Sequence, residues 1–252
     1  MTQLNQLMDA RRKELLRYVY QKCNGTVQHG LFEGMKILHQ NNWGDGDTGG
    51  KLLGLYEDEL FPALEEVIAA KPDLVINYGC AEGFYGIGLA MKLPDSKVML
   101  FDIDQKSLDI AKLNAEANNV SNVEFDSRCN DLDYFESVLA SAERPFVLMD
   151  CEGYEGLMLD LEKVPSLAKT TVLVEMHDCL YKGLTDNIVY RFNESHSMEG
   201  ITQGTKNYHI EPITELSDTD KLILNNENRP CTMHWIYMIP NTEKEQTEDA
   251  TE

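Results

Sequence analysis

Residues 75–93 read VINYGCAEGFYGIGLAMKL. The run Leu74-Val75-Ile76 has the length and branching of a buried strand. It breaks at Gly79, passes through Cys80, Ala81, Glu82 and Gly83, and turns helical, with Ile87, Ala90 and Met91 at helix spacing. A strand, a tight glycine turn and a helix bring backbone N–H groups and a helix N-terminus up to a bound ligand. Gly79 and Gly83 remove the Cβ atoms that would block that approach.

The glycine spacing is shared with buried helix packing and with nicotinamide-binding folds. Asp102 sharpens it. This acid ends the next apolar run, Val98-Met99-Leu100-Phe101, about 20 residues past the turn, where it can accept both hydroxyls of a ribose. From there strand and helix patterns alternate. Strands are expected at 98–101, 123–125, 146–149 and 171–174. Helices are expected at 105–118, 131–140, 155–161 and 184–192. Such alternation demands parallel strands joined by right-handed crossovers. Two late strands are expected at Lys206–Ile210 and Met233–Met238.

The combination NYGCAEG, LFDID and QKSLDIAKLNAEANN resembles the class I S-adenosylmethionine-dependent methyltransferases, over roughly residues 73–180. The resemblance implies an α/β, Rossmann-like, seven-stranded, mostly parallel sheet with helices on both faces, its final strands forming an antiparallel pair. It divides the chain into an N-terminal helical extension with a glycine-rich loop (1–72), an S-adenosylmethionine-binding methyltransferase domain (73–240) and an acidic disordered tail (241–252). The cofactor-binding residues it implies are Tyr78, Gly79, Cys80, Glu82, Gly83, Asp102, Ile103, Asn130, Asp131 and Asp150. Asp102 would take the ribose, Phe101-Asp102-Ile103 would flank the adenine, Asn130 would meet its edge, and Glu82 would lie near the methionine ammonium. Ala81 stands where the family usually has glycine, so a slightly different backbone path is expected there.

A second pair of motifs narrows the resemblance. Asp150-Cys151-Glu152-Gly153-Tyr154-Glu155 follows one strand, and Val174-Glu175-Met176-His177 ends the next. DxEGxE followed by VExH resembles the FkbM-like branch, which implies O-methylation of a hydroxyl on a sugar or other small metabolite. Polar groups at the carboxyl ends of parallel strands face the ligand crevice. His177 is the natural general base, since its ordinary pKa is about 6.5. Asp150, Glu152, Glu175 or Asp178 would orient it. Alternatively, Asp150, Glu152 and His177 hold a divalent metal that acidifies the hydroxyl. N-methylation of a small molecule or protein side chain, a nicotinamide-dependent dehydrogenase and a non-catalytic cofactor-binding module are the competing readings. The dehydrogenase lacks support, since no YxxxK pair follows the glycine turn.

At 252 residues with 42% hydrophobic content, the chain can build one large α/β core. A formal net charge of −21 argues against binding a nucleic-acid backbone or an anionic membrane surface. Six cysteines (23, 80, 129, 151, 179 and 231) form no CxxC pair. With no leader-like opening and no run of membrane length, a cytoplasmic setting with reduced thiols is expected. Four of these thiols follow strand ends, a placement that a thiophilic metal would also suit.

Outside the core motifs the readings are plainer. Residues 2–23 pattern as an amphipathic helix with Leu4, Leu7, Met8, Leu15 and Val19 on one face. It would pack on the domain edge, form a homodimer contact or close over the substrate. Residues 41–50, NNWGDGDTGG, read as a loop in which Asp45, Asp47 and Gly50 begin a calcium-loop pattern that fails at Tyr56. Trp43 there would cover an adenine or simply pack. Leu55–Ala70 is expected as one helix. Arg191, His196, Arg229, Pro230, His234 and Trp235 are candidates for the acceptor pocket.

Overall fold

The alternation of apolar residues along the strands divides the core in two. A computed structural model of the chain describes residues 3–38, 47–226, 229 and 233–241. Its seven-stranded sheet runs β3-β2-β1-β4-β5-β7-β6, with β1 Leu74–Tyr78, β2 Lys97–Phe101, β3 Val123–Asp126, β4 Pro145–Met149, β5 Thr171–Met176, β6 His196–Thr202 and β7 His234–Pro240. β7 is antiparallel to both of its neighbours, and the first five strands pair in parallel. This is the Rossmann-like arrangement that the sequence implied, and the order reverses between β1 and β4, where an open sheet binds ligands.

Val75, Leu100, Leu148, Leu173 and Trp235 face one apolar layer, while Ile76, Met99, Val147, Val174 and Ile236 face the other. On the first face lie α1 (Gln3–Cys23), α2 (Thr48–Leu53), α3 (Phe61–Ala70), α4 (Phe84–Lys92) and α5 (Gln105–Ala117). On the second lie α6 (Leu132–Ala140), α7 (Glu155–Met158) and α8 (Leu184–Phe192). Both faces of the central strands are therefore buried, which accounts for their nearly unbroken apolar sequence. Buried residues from Leu15 to Ile37 and from Leu52 to Val67 share one hydrophobic layer with the sheet.

Several expectations need correction. Lys206–Ile210 is not a strand; the edge strand is His196–Thr202, a polar stretch mostly outside the core. Leu55–Ala70 is not one helix: a short 3-10 turn at Asp58–Leu60 leads into α3, with Pro62 in its first turn. Residues 48–50, expected as the end of a loop, instead open α2, and 51–53 had no expectation. The segment expected as a helix at 155–161 is one turn, ending at Met158.

In α1, Leu15, Leu16 and Val19 are buried, but Leu7 is 63% and Met8 40% exposed. The first turns are held by charge instead: Arg11 pairs with Asp220 at 2.7 Å on α9 (Asp218–Leu224). This helix packs at the domain edge and does not reach the cavity described below. Trp43, Asp45, Pro230, Cys231, the Leu4 side chain and residues 242–252 lie outside the described residues. Among the described residues no helix is long and apolar enough to cross a membrane.

Candidate active site

The carboxyl ends of β1, β2, β4 and β5 open into a cavity of about 530 Å³, within the range typical of small-molecule sites. Tyr78, Gly79, Ala81, Glu82, Asp102, Ile103, Asn130, Asp150, Glu152, Glu175 and His177 all line it. Cys80, Gly83 and Asp131 do not. Cys80 is buried beneath the turn. Gly83 sits at the start of α4 with φ +86°. Asp131 caps α6, its carboxylate accepting from the Tyr134 N–H at 2.9 Å.

The cofactor side is built on main-chain hydrogen bonds. Gly79 has φ +77°, and a Cβ there would fall 1.7 Å from the Asp150 carbonyl oxygen. The β1 turn therefore passes against the β4 turn only as glycine. Ala81 takes φ +46°, the left-handed conformation a glycine would adopt. Its N–H donates to Asp102 Oδ2 at 2.8 Å, and the Asp104 N–H donates to Oδ1 at 2.8 Å. Burial raises the pKa of Asp102, and those N–H donors oppose the rise. Its carboxylate is thus fixed against the chain and still faces the cavity. Tyr78 stacks on Phe101 and donates its hydroxyl hydrogen to the Cys129 carbonyl. Asn77 is buried and accepts from the Gly86 N–H, so it ties α4 to the sheet. Ile103 stands 70% exposed beside Asp102 in sequence, and it and Asn130 both line the cavity. An anchored acid, an apolar wall and an amide around one cavity fit the ribose and adenine of S-adenosylmethionine.

The other side is built on side chains. His177 is 1% exposed. Its Nδ1 lies 3.0 Å from Oε1 of Glu155, which is itself wholly buried and accepts from the Cys151 N–H. The charge of Glu155 favours a proton at Nδ1, although the contact lacks hydrogen-bond geometry, and Nε2 is the nitrogen beside the other carboxylates. Around Nε2 stand Glu175 at 3.4 Å, Asp150 at 3.5 Å and Glu152 at 3.6 Å. DxEGxE and VExH therefore converge on one imidazole. Glu152 is the exposed member at the rim, and Glu175 is the buried one.

Burial and the charge of Glu57 push Asp150 up to about 7, against a hydrogen bond with Glu175. Burial and Asp150 push Glu175 up to about 8, against the pull of Arg229. Burial tends to lower His177, but Glu155 and the other carboxylates outweigh it, and its pKa is raised. Asp150, Glu175 and His177 offer donor atoms within 4.8 Å of one another, so Glu175 joins the candidate metal ligands where Glu152 was expected. Among the described residues no cysteine belongs to such a group. Burial raises the pKa of the Cys80, Cys129 and Cys151 thiols.

Four lining or supporting residues come from outside the core motifs. Lys51, on α2, pairs with Glu82 and with Asp47 at 2.6 Å. Its ammonium lies over the Tyr56 ring. Glu57 is buried in a left-handed conformation and accepts from the Tyr85 hydroxyl. Arg229 bridges Glu57 and Glu175. Of the other acceptor-pocket candidates, His196 is buried against the Thr170 carbonyl and Trp235 packs in the core. Arg191 donates to the Gly156 and Leu159 carbonyls, and His234 pairs with Thr185. None of these four lines the cavity. Pro62 was the available signal that the helix begins late enough to free Tyr56 and Glu57; nothing in the sequence marked Lys51.

Residues 71–142 match the sequence profile of the methyltransferase-domain family. A release factor glutamine methyltransferase from Francisella tularensis subsp. tularensis is 43% identical over 51 residues. That match covers 20% of this chain and 18% of the relative, so the chain spans less than a fifth of it. Among solved structures, an rRNA methylase from Streptococcus thermophilus is 12% identical with a TM-score of 0.47, over 71% of this chain and 94% of that one. The bifunctional kinase-methyltransferase WbdD is 19% identical with a TM-score of 0.43, over 73% and 38%. Residues 71–142 therefore carry a methyltransferase domain, set on a Rossmann-like seven-stranded sheet.

Proposed function

We propose that this protein transfers a methyl group from S-adenosylmethionine to a hydroxyl of a sugar or other small metabolite, as an FkbM-like enzyme. One observation carries the reading: Asp102, the ribose-type acid, and the His177 cluster open into the same cavity. When bound, S-adenosylmethionine supplies a methyl group made electrophilic by its sulfonium. Asp102, Ile103 and Asn130 hold the nucleoside, and Gly79, Ala81 and Glu82 border the remainder. His177 takes the proton of the acceptor hydroxyl at Nε2, while Glu155 at Nδ1 stabilises the imidazolium that results. Asp150 and Glu152, each near Nε2, orient the acceptor.

The donor group Asp150, Glu175 and His177 favours a second reading, in which these residues hold a divalent metal that acidifies the hydroxyl. Nε2 cannot both bind a cation and accept a proton, so the two exclude each other. The other expectations belong to the same proposal: a small hydroxylated acceptor, no nucleic acid or membrane surface, a homodimer as the assembly to test, and a cytoplasmic setting with free thiols.

The test is a thermal melt with S-adenosylhomocysteine on wild type and Asp102→Ala. Saturation at 100 times Kd adds about 2.7 kcal/mol, a rise of roughly 5–10 °C. A rise that Asp102→Ala abolishes supports the cofactor assignment, and a rise with NAD alone overturns it. Turnover of an acceptor that survives EDTA dialysis selects the base over the metal.

A further inference from the structure

At the cavity mouth near Glu152, three apolar side chains stand in solvent. Tyr154 is 46% exposed, Leu180 52% and Tyr181 53%. Single exposed apolar residues are ordinary; the placement of these is not. Tyr154 and Leu180 line the cavity itself. The N–H groups of Leu180 and Tyr181 both donate to the His177 carbonyl at 2.9 Å, which fixes the pair to the residue at the cavity floor. Tyr181 lies against the main chain of Gly153, where φ is +102° and a Cβ would fall 1.9 Å from the ring. The DxEGxE loop thus omits a side chain where Tyr181 needs the space. The result is an apolar rim held in place from both sides and continuous with the pocket.

The polar lining points the same way. Lys51 is paired with Asp47 and Glu82, and Arg229 with Glu57 and Glu175. Asp150 and Glu152 add two further carboxylates beside His177. An anionic acceptor would meet these acids with both lining cations already engaged.

We propose that the acceptor is an amphiphilic alcohol or phenol without an anionic group, whose apolar arm leaves the cavity over Leu180, Tyr181 and Tyr154. This rests on the methyltransferase reading and narrows its acceptor: a glycoside or phenol with an aliphatic or aromatic arm suits the site better than a bare or phosphorylated sugar.

The experiment titrates the full-length protein, saturated with S-adenosylhomocysteine, with paired probes by calorimetry below micelle formation. The pairs are methyl and hexyl β-glucoside, glycerol and hexylglycerol, and phenol and 4-butylphenol; glucose 6-phosphate is the anionic probe. In at least one pair the armed compound is expected to bind about tenfold tighter or better, since each buried methylene contributes about 0.8 kcal/mol. That gain should fall below about threefold in the Leu180→Ser/Tyr181→Ser variant, with S-adenosylhomocysteine affinity unchanged. The proposal is overturned if no pair shows a gain, if the gain survives the double variant, or if glucose 6-phosphate binds tightest. A wild-type dimer in light scattering that the double variant dissociates also overturns it, by making the rim a subunit contact. Binding of S-adenosylhomocysteine with no armed probe sinks this inference alone; failure of S-adenosylhomocysteine to bind sinks the cofactor reading with it.

Discussion

Two acids of the cavity, Asp102 and Glu175, are held in different ways. On the cofactor side, Asp102 is fixed by the N–H groups of Ala81 and Asp104. On the acceptor side, Glu175 is held by Arg229, Arg229 by Glu57, and Glu57 by Tyr85. Main-chain donors come with the local fold and stay whatever side chain is changed. A side-chain relay gathers residues from positions 57, 85, 175 and 229, and each link depends on the next. The first design gives a rigid seat for a common cofactor. The second gives crowded carboxylates with raised pKa values, suited to moving a proton.

The sharpest way to break this contrast is at the place where the two sides touch. Gly79→Ala would put a methyl group into the Asp150 carbonyl in a left-handed backbone. Urea unfolding should show a loss of at least about 3 kcal/mol, or no folded protein at all. Next in size is His177→Ala. On the base reading kcat falls about 10²–10⁴-fold while the Kd for S-adenosylhomocysteine, measured by calorimetry, stays within about twofold. Equal losses in both would mean that the two sides are one unit.

Glu57→Gln tests the relay at its far end. Glu57 is the charge that most raises Asp150, so its neutralisation should bring Asp150 down from about 7. A carboxyl carbon NMR titration reads this directly, and an unmoved Asp150 would dissolve the relay. The apo protein should also lose stability as pH rises from about 4 to about 8. Folded Asp150 and Glu175 keep their protons to about 7 and about 8, whereas unfolded carboxyls release theirs near 4. Urea midpoints at several pH values should fall across that window, and less steeply in Asp150→Asn. The smallest effect belongs to Asp131→Ala, which removes a helix cap worth about 1 kcal/mol and should leave cofactor affinity unchanged.

The same contrast governs what the sequence reveals. Asp102 could be read because the turn that binds it lies about 20 residues earlier and the intervening helix fixes their distance. Asp131 was read as a ligand, and the structure makes it the N-cap of α6 outside the cavity lining; an acid that follows a strand and precedes a helix suits either role in sequence. The β6 strand stayed hidden because an edge strand needs little apolar alternation, so HSMEGIT carries no period to detect. DxEGxE and VExH were visible as motifs. Their shared focus on His177 was not, because pairing across β4 and β5 is a property of the folded sheet. Glu57, Lys51 and Arg229 had no local pattern linking them to residues more than 30 positions away.

The order of the strands carries one more consequence, for synthesis. β7 leaves the ribosome after β5 and β6, yet it lies between them in the sheet. Until residues 234–240 emerge, β6 has no neighbour and the outer edge of β5 stands open. That edge carries Glu175 and leads into His177. The nascent chain can therefore form the Asp102 turn early, from β1 and β2, and completes the wall around Glu175 and His177 only once β7 joins β5.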